Sequence, residues 1–170
     1  MKRQLFAAAI AALGTLGILI GTNKQASAAT NAANGCTATL TNPHNSTGAE
    51  GIIAKAYWEC SSVPTTIHLS TYDGTTFGFY LYVCSSNSPE HSEAWLDANC
   101  SQVGINHNDL LIQTANVKSA ARYSPPSGEL GAEGSGYWIS LADWVSTGPN
   151  GTGGREYTFS NTVSLTLYRD

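Results

Sequence analysis

CSSVPTTIHLSTYDGTTFGFYLYVC, residues 60–84, is the stretch that decides the fold class. Ile67, Leu69 and Thr71 alternate with Thr66, His68, Ser70 and Tyr72. Beyond Asp73-Gly74, Phe77, Phe79, Leu81 and Val83 alternate with Thr76, Gly78, Tyr80 and Tyr82. Two period-2 runs around an Asp-Gly pair signal a β-hairpin. Paired residues share a face, so the loop length determines which sets agree. A two-residue loop pairs Leu69 with Gly78 and sets the apolar faces against each other. A three-residue loop, Tyr72-Asp73-Gly74, pairs Leu69 with Phe77 and Ile67 with Phe79, and puts Gly74 at a left-handed position that suits glycine. The three-residue loop is therefore expected, with His68, Tyr80 and Tyr82 on the opposite face.

Outward from the hairpin, both ends of the chain are readable. Residues 1–28 have the form of a secretory signal peptide: Lys2 and Arg3, an apolar core over residues 5–20, then Ala26-Ser27-Ala28 as a cleavage pattern. The core is shorter than the ~18 residues a membrane span needs, and Asn34-Gly35 before Cys36 is a poor lipidation site. The expected product is a released protein, with residues 29–35 as a disordered start and 36–170 as one domain. The whole chain carries 8 Lys+Arg and 12 Asp+Glu, a net charge of −4. Lys2, Arg3 and Lys24 leave with the leader, so five bases then face twelve acids and the net charge becomes −7. Such a domain repels nucleic acid, anionic membranes and polyanionic wall polymers.

All four cysteines, Cys36, Cys60, Cys84 and Cys100, follow the leader, and export favours disulfides. If Leu40 faces Ala56 and Ala38 faces Trp58, the same register brings Cys36 opposite Cys60, which leaves Cys84 for Cys100. Each bridge is worth about 3 kcal/mol. With no Cys-x-x-Cys pair, zinc is not expected.

In chain order, residues 36–40 read as a strand, and 52–60 as a second with Ile52, Ala54, Ala56, Trp58 and Cys60 on its apolar face. Its other face holds Ile53, Lys55, Tyr57 and Glu59. The one short helix expected lies near residues 88–98, with Ser88 as cap, Pro89 in the first turn and Glu90 and Glu93 at the positive end of the dipole. Residues 110–117 and 137–145 read as strands, 120–136 and 146–154 as loops. The final strand places Tyr157, Phe159, Val163, Leu165 and Leu167 on one face. The sum is an all-β, disulfide-bonded antiparallel β-sandwich, immunoglobulin-like in general architecture.

Catalytic signals are weak. No Gly-x-Ser-x-Gly elbow is present, the Gly-rich segment 148–154 lacks a phosphate-binding lysine, and Glu90, Glu93 and Asp97 read as a solvated helix face rather than a cation site. No cofactor or metal is expected. The candidate ligand-binding residues are Tyr57, His68, Tyr80 and Tyr82, aromatic groups on predicted polar faces of rigid strands. The alternative is that tyrosine merely favours strands. Residues 122–136, a long acidic loop, form a second candidate surface. The leading expectation is a secreted, non-catalytic domain binding a carbohydrate or an extracellular protein. The alternatives are a small hydrolase of a wall polymer and a secreted inhibitor or antagonist.

Overall fold

The computed structural model describes residues 29–31, 33–87, 91–119 and 122–168; the expected leader lies outside them. In chain order the elements are β1 (Ala29–Asn31), β2 (Cys36–Leu40), β3 (His44–Ser46), β4 (Gly51–Cys60), β5 (Thr65–His68), β6 (Thr71–Tyr72), β7 (Thr75–Thr76) and β8 (Gly78–Cys84). They continue with α1 (Glu93–Asn99), β9 (Cys100–Asn106), β10 (Leu110–Ile112), β11 (Arg122–Ser124), β12 (Gly134–Gly148), β13 (Gly151–Thr152), β14 (Glu156–Phe159) and β15 (Val163–Leu167). They form a five-stranded sheet, an eight-stranded sheet and a two-stranded ribbon, antiparallel throughout. The two large sheets pack as a sandwich.

The smaller sheet follows the sequence closely. β2 and β4 pair in the expected register, with Leu40 opposite Ala56, Ala38 opposite Trp58 and Cys36 opposite Cys60. Cys36 is bonded to Cys60 and Cys84 to Cys100. The apolar face of β4 is buried from Ile52 to Cys60. Residues 29–31 and 33–35 are tied into the fold. β1 pairs with β2, and the Asn34 amide, fully buried, donates to Ser146 Oγ at 3.3 Å and to the Gly151 carbonyl at 3.0 Å. Nothing periodic marks this segment: β1 is only three residues long, and the partners of the Asn34 amide are more than a hundred residues away.

The larger sheet is built around β12. On one edge it pairs with β8 over residues 137–143 and with β5 over residues 145–147; on the other it pairs with β15, β14 and β13. The hairpin expectation is corrected here. His68 lies opposite Val145 and Gly78 opposite Asp143, so two steps along β12 match ten along its partner. Eight residues are looped out, and β5 and β8 are two halves of one interrupted strand. The excursion is the β6–β7 ribbon, in which Tyr72 pairs with Thr75 around a two-residue turn. Asp73 at φ 48° and Gly74 at φ 73° are both left-handed, as a type I′ turn requires. A three-residue loop would align apolar faces across the hairpin. That alignment occurs on β12 instead, where Ile67 meets Ser146 and Phe79 meets Ala142 on one face.

The final strand is also divided. Leu141 pairs with Phe159, but Trp138 pairs with Val163, so the register slips by one residue between β14 and β15. A slip of one exchanges faces. Tyr157 and Phe159 thus face outward, while Val163, Leu165 and Leu167 pack on the inner core. The expected strand at 110–117 ends at Ile112, because residues 116–119 cross to the smaller sheet, where Asn116 N–H donates to the Cys60 carbonyl and Ser119 N–H to that of Trp58. Part of the expected 122–136 loop is strand: β11 pairs with β4, and residues 134–136 open β12. The helix starts later than expected, at Glu93, with Ser92 accepting from Trp95 N–H as N-cap; residues 88–90 lie outside the described part.

Between the sheets, Trp58 and Trp144 meet edge to face with ring centroids 6.3 Å apart, both fully buried. A smaller core on the outer side of the large sheet joins Ile139, Leu141 and Cys84 to Leu96 of α1. Trp144 also donates from Nε1 to Thr158 Oγ1 at 3.2 Å. Replacing Trp144 by alanine is expected to cost about 3–5 kcal/mol, read as a lowered denaturation midpoint in urea with both disulfides intact.

Candidate functional site

Among the predicted binding residues, the structure gathers His68, Tyr80 and Tyr82 on the outer face of the large sheet, since they lie opposite Val145, Leu141 and Ile139 of β12. Tyr57 is elsewhere. It belongs to the outer face of the smaller sheet, opposite Thr39 and two residues from Lys55, on the far side of the sandwich.

On the large-sheet face, the turn from β9 to β10 grips the root of the ribbon. His107 Nδ1 lies 3.0 Å from the Leu69 carbonyl and 2.7 Å from that of Phe77, so it carries the proton and donates. Asp109 Oδ1 accepts from the N–H groups of Leu69 at 2.8 Å and Ser70 at 3.0 Å. Its other oxygen is 3.1 Å from His68 Nδ1, and His68 Nε2 is 2.9 Å from Thr147 Oγ1. Tyr72 stacks on His68 at 4.1 Å.

Asp109, His68 and Thr147 stand in the order of a nucleophile-activating relay. The surroundings do not suit that chemistry. Thr147 sits inside two ladders, opposite Thr66 and Thr152, which occupy the nearby backbone groups that an oxyanion hole would need. The relay acts as a clasp, binding the ribbon root and the β9–β10 turn to β12.

Beside the clasp lies a charged, aromatic row. Arg155 donates to Asp143 through Nε at 2.8 Å and Nη2 at 2.6 Å, and Nη2 is 3.5 Å from Glu93 Oε1. Its guanidinium is 4.8 Å from the Tyr157 ring centroid and 5.7 Å from that of Phe77. The Glu93 carboxylate lies near enough to the Tyr157 phenol to help raise its pKa. Tyr80 packs edge-on to His107 at 6.2 Å and beside Tyr82 at 6.1 Å. A side chain on Gly78 would lie 2.6 Å from the Tyr80 ring, so the glycine is what lets this ring lie across the strand.

Burial pushes the Asp143 carboxyl up, and the bond and charge of Arg155 oppose that; the Arg155 guanidinium is in turn held charged by Asp143. Burial, reinforced by the Asp143 and Glu93 charges, raises the Tyr80 phenol, and burial raises Tyr82 and Tyr157 to about 12. All three therefore remain hydroxyl donors at neutral pH. Sequence reasoning missed Arg155, Glu93, Tyr157 and His107 as members of this surface. The one available signal was the unusual placement of an isolated aspartate, Asp143, within a strand.

The second predicted surface, residues 122–136, borders cavities of about 280 and 350 Å³ that share Tyr123, Pro126 and Ser127. Among the described residues no cluster of three or more His, Cys, Asp or Glu is placed to hold a metal ion, and no helix is long and apolar enough to cross a membrane. Comparison of the chain with family models, curated proteins and solved structures finds no match.

Two outcomes test this geometry. At Asp109, burial raises the carboxyl pKa, but hydrogen bonds from Leu69, Ser70 and His68 outweigh it and the net shift is downward. A carboxyl depressed in the folded state stabilises above its unfolded pKa, and this is lost as pH falls through the folded value. Relative to Asp109→Asn, the parent protein should therefore lose stability on going from pH 7 to pH 3 in urea titrations. A parallel pH dependence of the two proteins would mean that the clasp carries no such linkage. Gly78→Ala should cost about 1–3 kcal/mol and shift the Tyr80 ring resonances in NMR, because the new methyl occupies the seat of the ring.

Proposed function

We propose that this is a secreted, non-catalytic binding domain whose ligand is a carbohydrate, held on the row formed by Tyr80, His107, Arg155, Glu93 and Tyr157. Secretion rests on the leader-like residues 1–28 and agrees with two disulfides. The observation that carries the binding reading is the Arg155 arrangement. A guanidinium clamped by Asp143 and flanked by Phe77 and Tyr157 is still 41% exposed, beside a Glu93 carboxylate that is 47% exposed. Such a pair offers fixed donors and acceptors to neighbouring sugar hydroxyls, while the tyrosine rings offer flat apolar area with few rotors to immobilise. Tyr80 and Tyr157 are mounted on strands and the Arg155 guanidinium is held by Asp143, so little ordering accompanies binding.

A neutral-glycan array probed with the oxidised protein tests the proposal. Tyr80→Ala should weaken the best binder by roughly 3–10-fold, and Glu93→Gln should weaken it as well. Tyr57→Ala, on the far face, should leave affinity unchanged. Arg155 is a poor choice for substitution, because its loss strands Asp143 as a buried, unpaired charge, a change worth about 3–5 kcal/mol of stability. Full binding by both Tyr80→Ala and Glu93→Gln would move the ligand off this face.

A further inference from the structure

The opposite face of the sandwich holds a separate, preformed groove. On the outer side of the smaller sheet Lys55 of β4 lies opposite Tyr123 of β11, with its ammonium 5.2 Å from the ring centroid. Loop residues 125–130 rise beside this pair and separate the 280 Å³ cavity, lined by Lys55 and Glu129, from the 350 Å³ cavity, lined by Asn108 and Arg122. Tyr123, Pro126 and Ser127 line both, so the two cavities adjoin at the tyrosine, and the groove is the one that holds Lys55.

The groove is held open from below. Gly131 N–H donates to the Ala49 carbonyl at 2.6 Å, and Ile52 and Ala132 exchange hydrogen bonds of 2.8 and 2.9 Å. Gly51 and Gly131 cross so closely that a Cβ on Gly51 would lie 2.4 Å from the Gly131 backbone. A loop anchored in this way does not need ordering when a ligand arrives.

The electrostatics of the groove differ from those of the rest of the surface. Among the described residues ten acids face four bases, Lys55, Lys118, Arg122 and Arg155. Arg155 is neutralised by Asp143, and two of the other three bases flank Tyr123. Arg122 is fixed there by donating to the carbonyls of Asn108 and Asp109. Lys55 has no carboxylate partner among the described residues. The rest of the lining includes the Tyr123 ring, Pro125 and Pro126, and the Ser46 and Ser127 hydroxyls, groups that meet the C–H face and the hydroxyls of a pyranose.

We propose that this groove binds a carboxylate-bearing saccharide, with the carboxylate at Lys55 and the sugar ring against Tyr123 and Pro126. One negative charge matches one unpaired lysine. Glu129 in the wall and the acidity of the protein oppose a dense polyanion such as nucleic acid or a phosphorylated polymer. The Lys55 cavity lies on the smaller sheet, apart from the Tyr80 row, while the adjoining cavity reaches Asn106 and Asn108, the chain neighbours of His107 in that row.

Titration calorimetry with the singly charged methyl galacturonoside and with its 6-methyl ester tests the assignment, on the full oxidised chain. The acid should bind at least about tenfold more tightly than the ester, and Lys55→Gln should reduce it to the level of the ester. Lys55→Arg should retain binding, and added salt should weaken it. Tyr80→Ala should have no effect, which separates this site from the one proposed above. Equal binding of acid and ester, no binding of the acid, or unchanged affinity in a folded Lys55→Gln would each overturn the proposal. None of those outcomes bears on neutral glycans at Tyr80.

Discussion

The structure depends on the burial of residues 138–146 of β12 on both faces and along both edges. A strand in that position is shielded from water, so its backbone polar groups need partners and its side chains fitted neighbours. Its inner face presents Trp138, Ala142 and Trp144 to β4, and its outer face presents Ile139 and Leu141 to the small core under α1. The other irregularities follow from matching partners to one long central strand. Along one edge, β5 and β8 must lie end to end, so the eight residues that do not fit are expelled as a ribbon. Along the other, a single extra residue between β14 and β15 sends aromatic rings outward and aliphatic side chains inward.

These accommodations create the surfaces on which recognition is proposed. The expelled ribbon carries Phe77 to the flank of Arg155 and Tyr72 onto His68. The slip in the last strand brings Tyr157 to the outer face, where it covers the other side of the same guanidinium. Asp143, within the most buried strand, is tolerated because Arg155 reaches it with two hydrogen bonds. Local disturbances of the ladder thus assemble residues that are far apart in the chain. The opposite sheet is more regular, and its groove arises where loop 125–130 is pinned against β4 by two glycines.

Much of the smaller sheet was legible in the chain. The alternation from Ile52 to Cys60 and its match to residues 36–40 specified register, faces and both disulfides, because adjacent strands of one hairpin are a local problem. The candidate site was legible only in fragments. His68, Tyr80 and Tyr82 were recognisable as outward-facing, yet Tyr57 carried the same signal and lies on the other sheet. Period-2 alternation tells which residues share a face of one strand but not which sheet the strand joins. β12 was itself hard to weigh, since Ser140, Asp143 and Ser146 interrupt its apolar run, although all three are buried.

The sequence alone therefore determined the class of the protein: all-β, antiparallel, bridged Cys36 to Cys60 and Cys84 to Cys100, with one short helix. These follow from interactions between neighbours in the chain, which periodicity and spacing record. Only the tertiary structure decided that the Asp-Gly hairpin is an excursion from one strand, that the last strand changes faces, and that Arg155, Asp143, Glu93 and Tyr157 meet. Those outcomes are set by register against a shared central strand, and a shift of one residue there exchanges inside for outside at no cost visible in the local pattern.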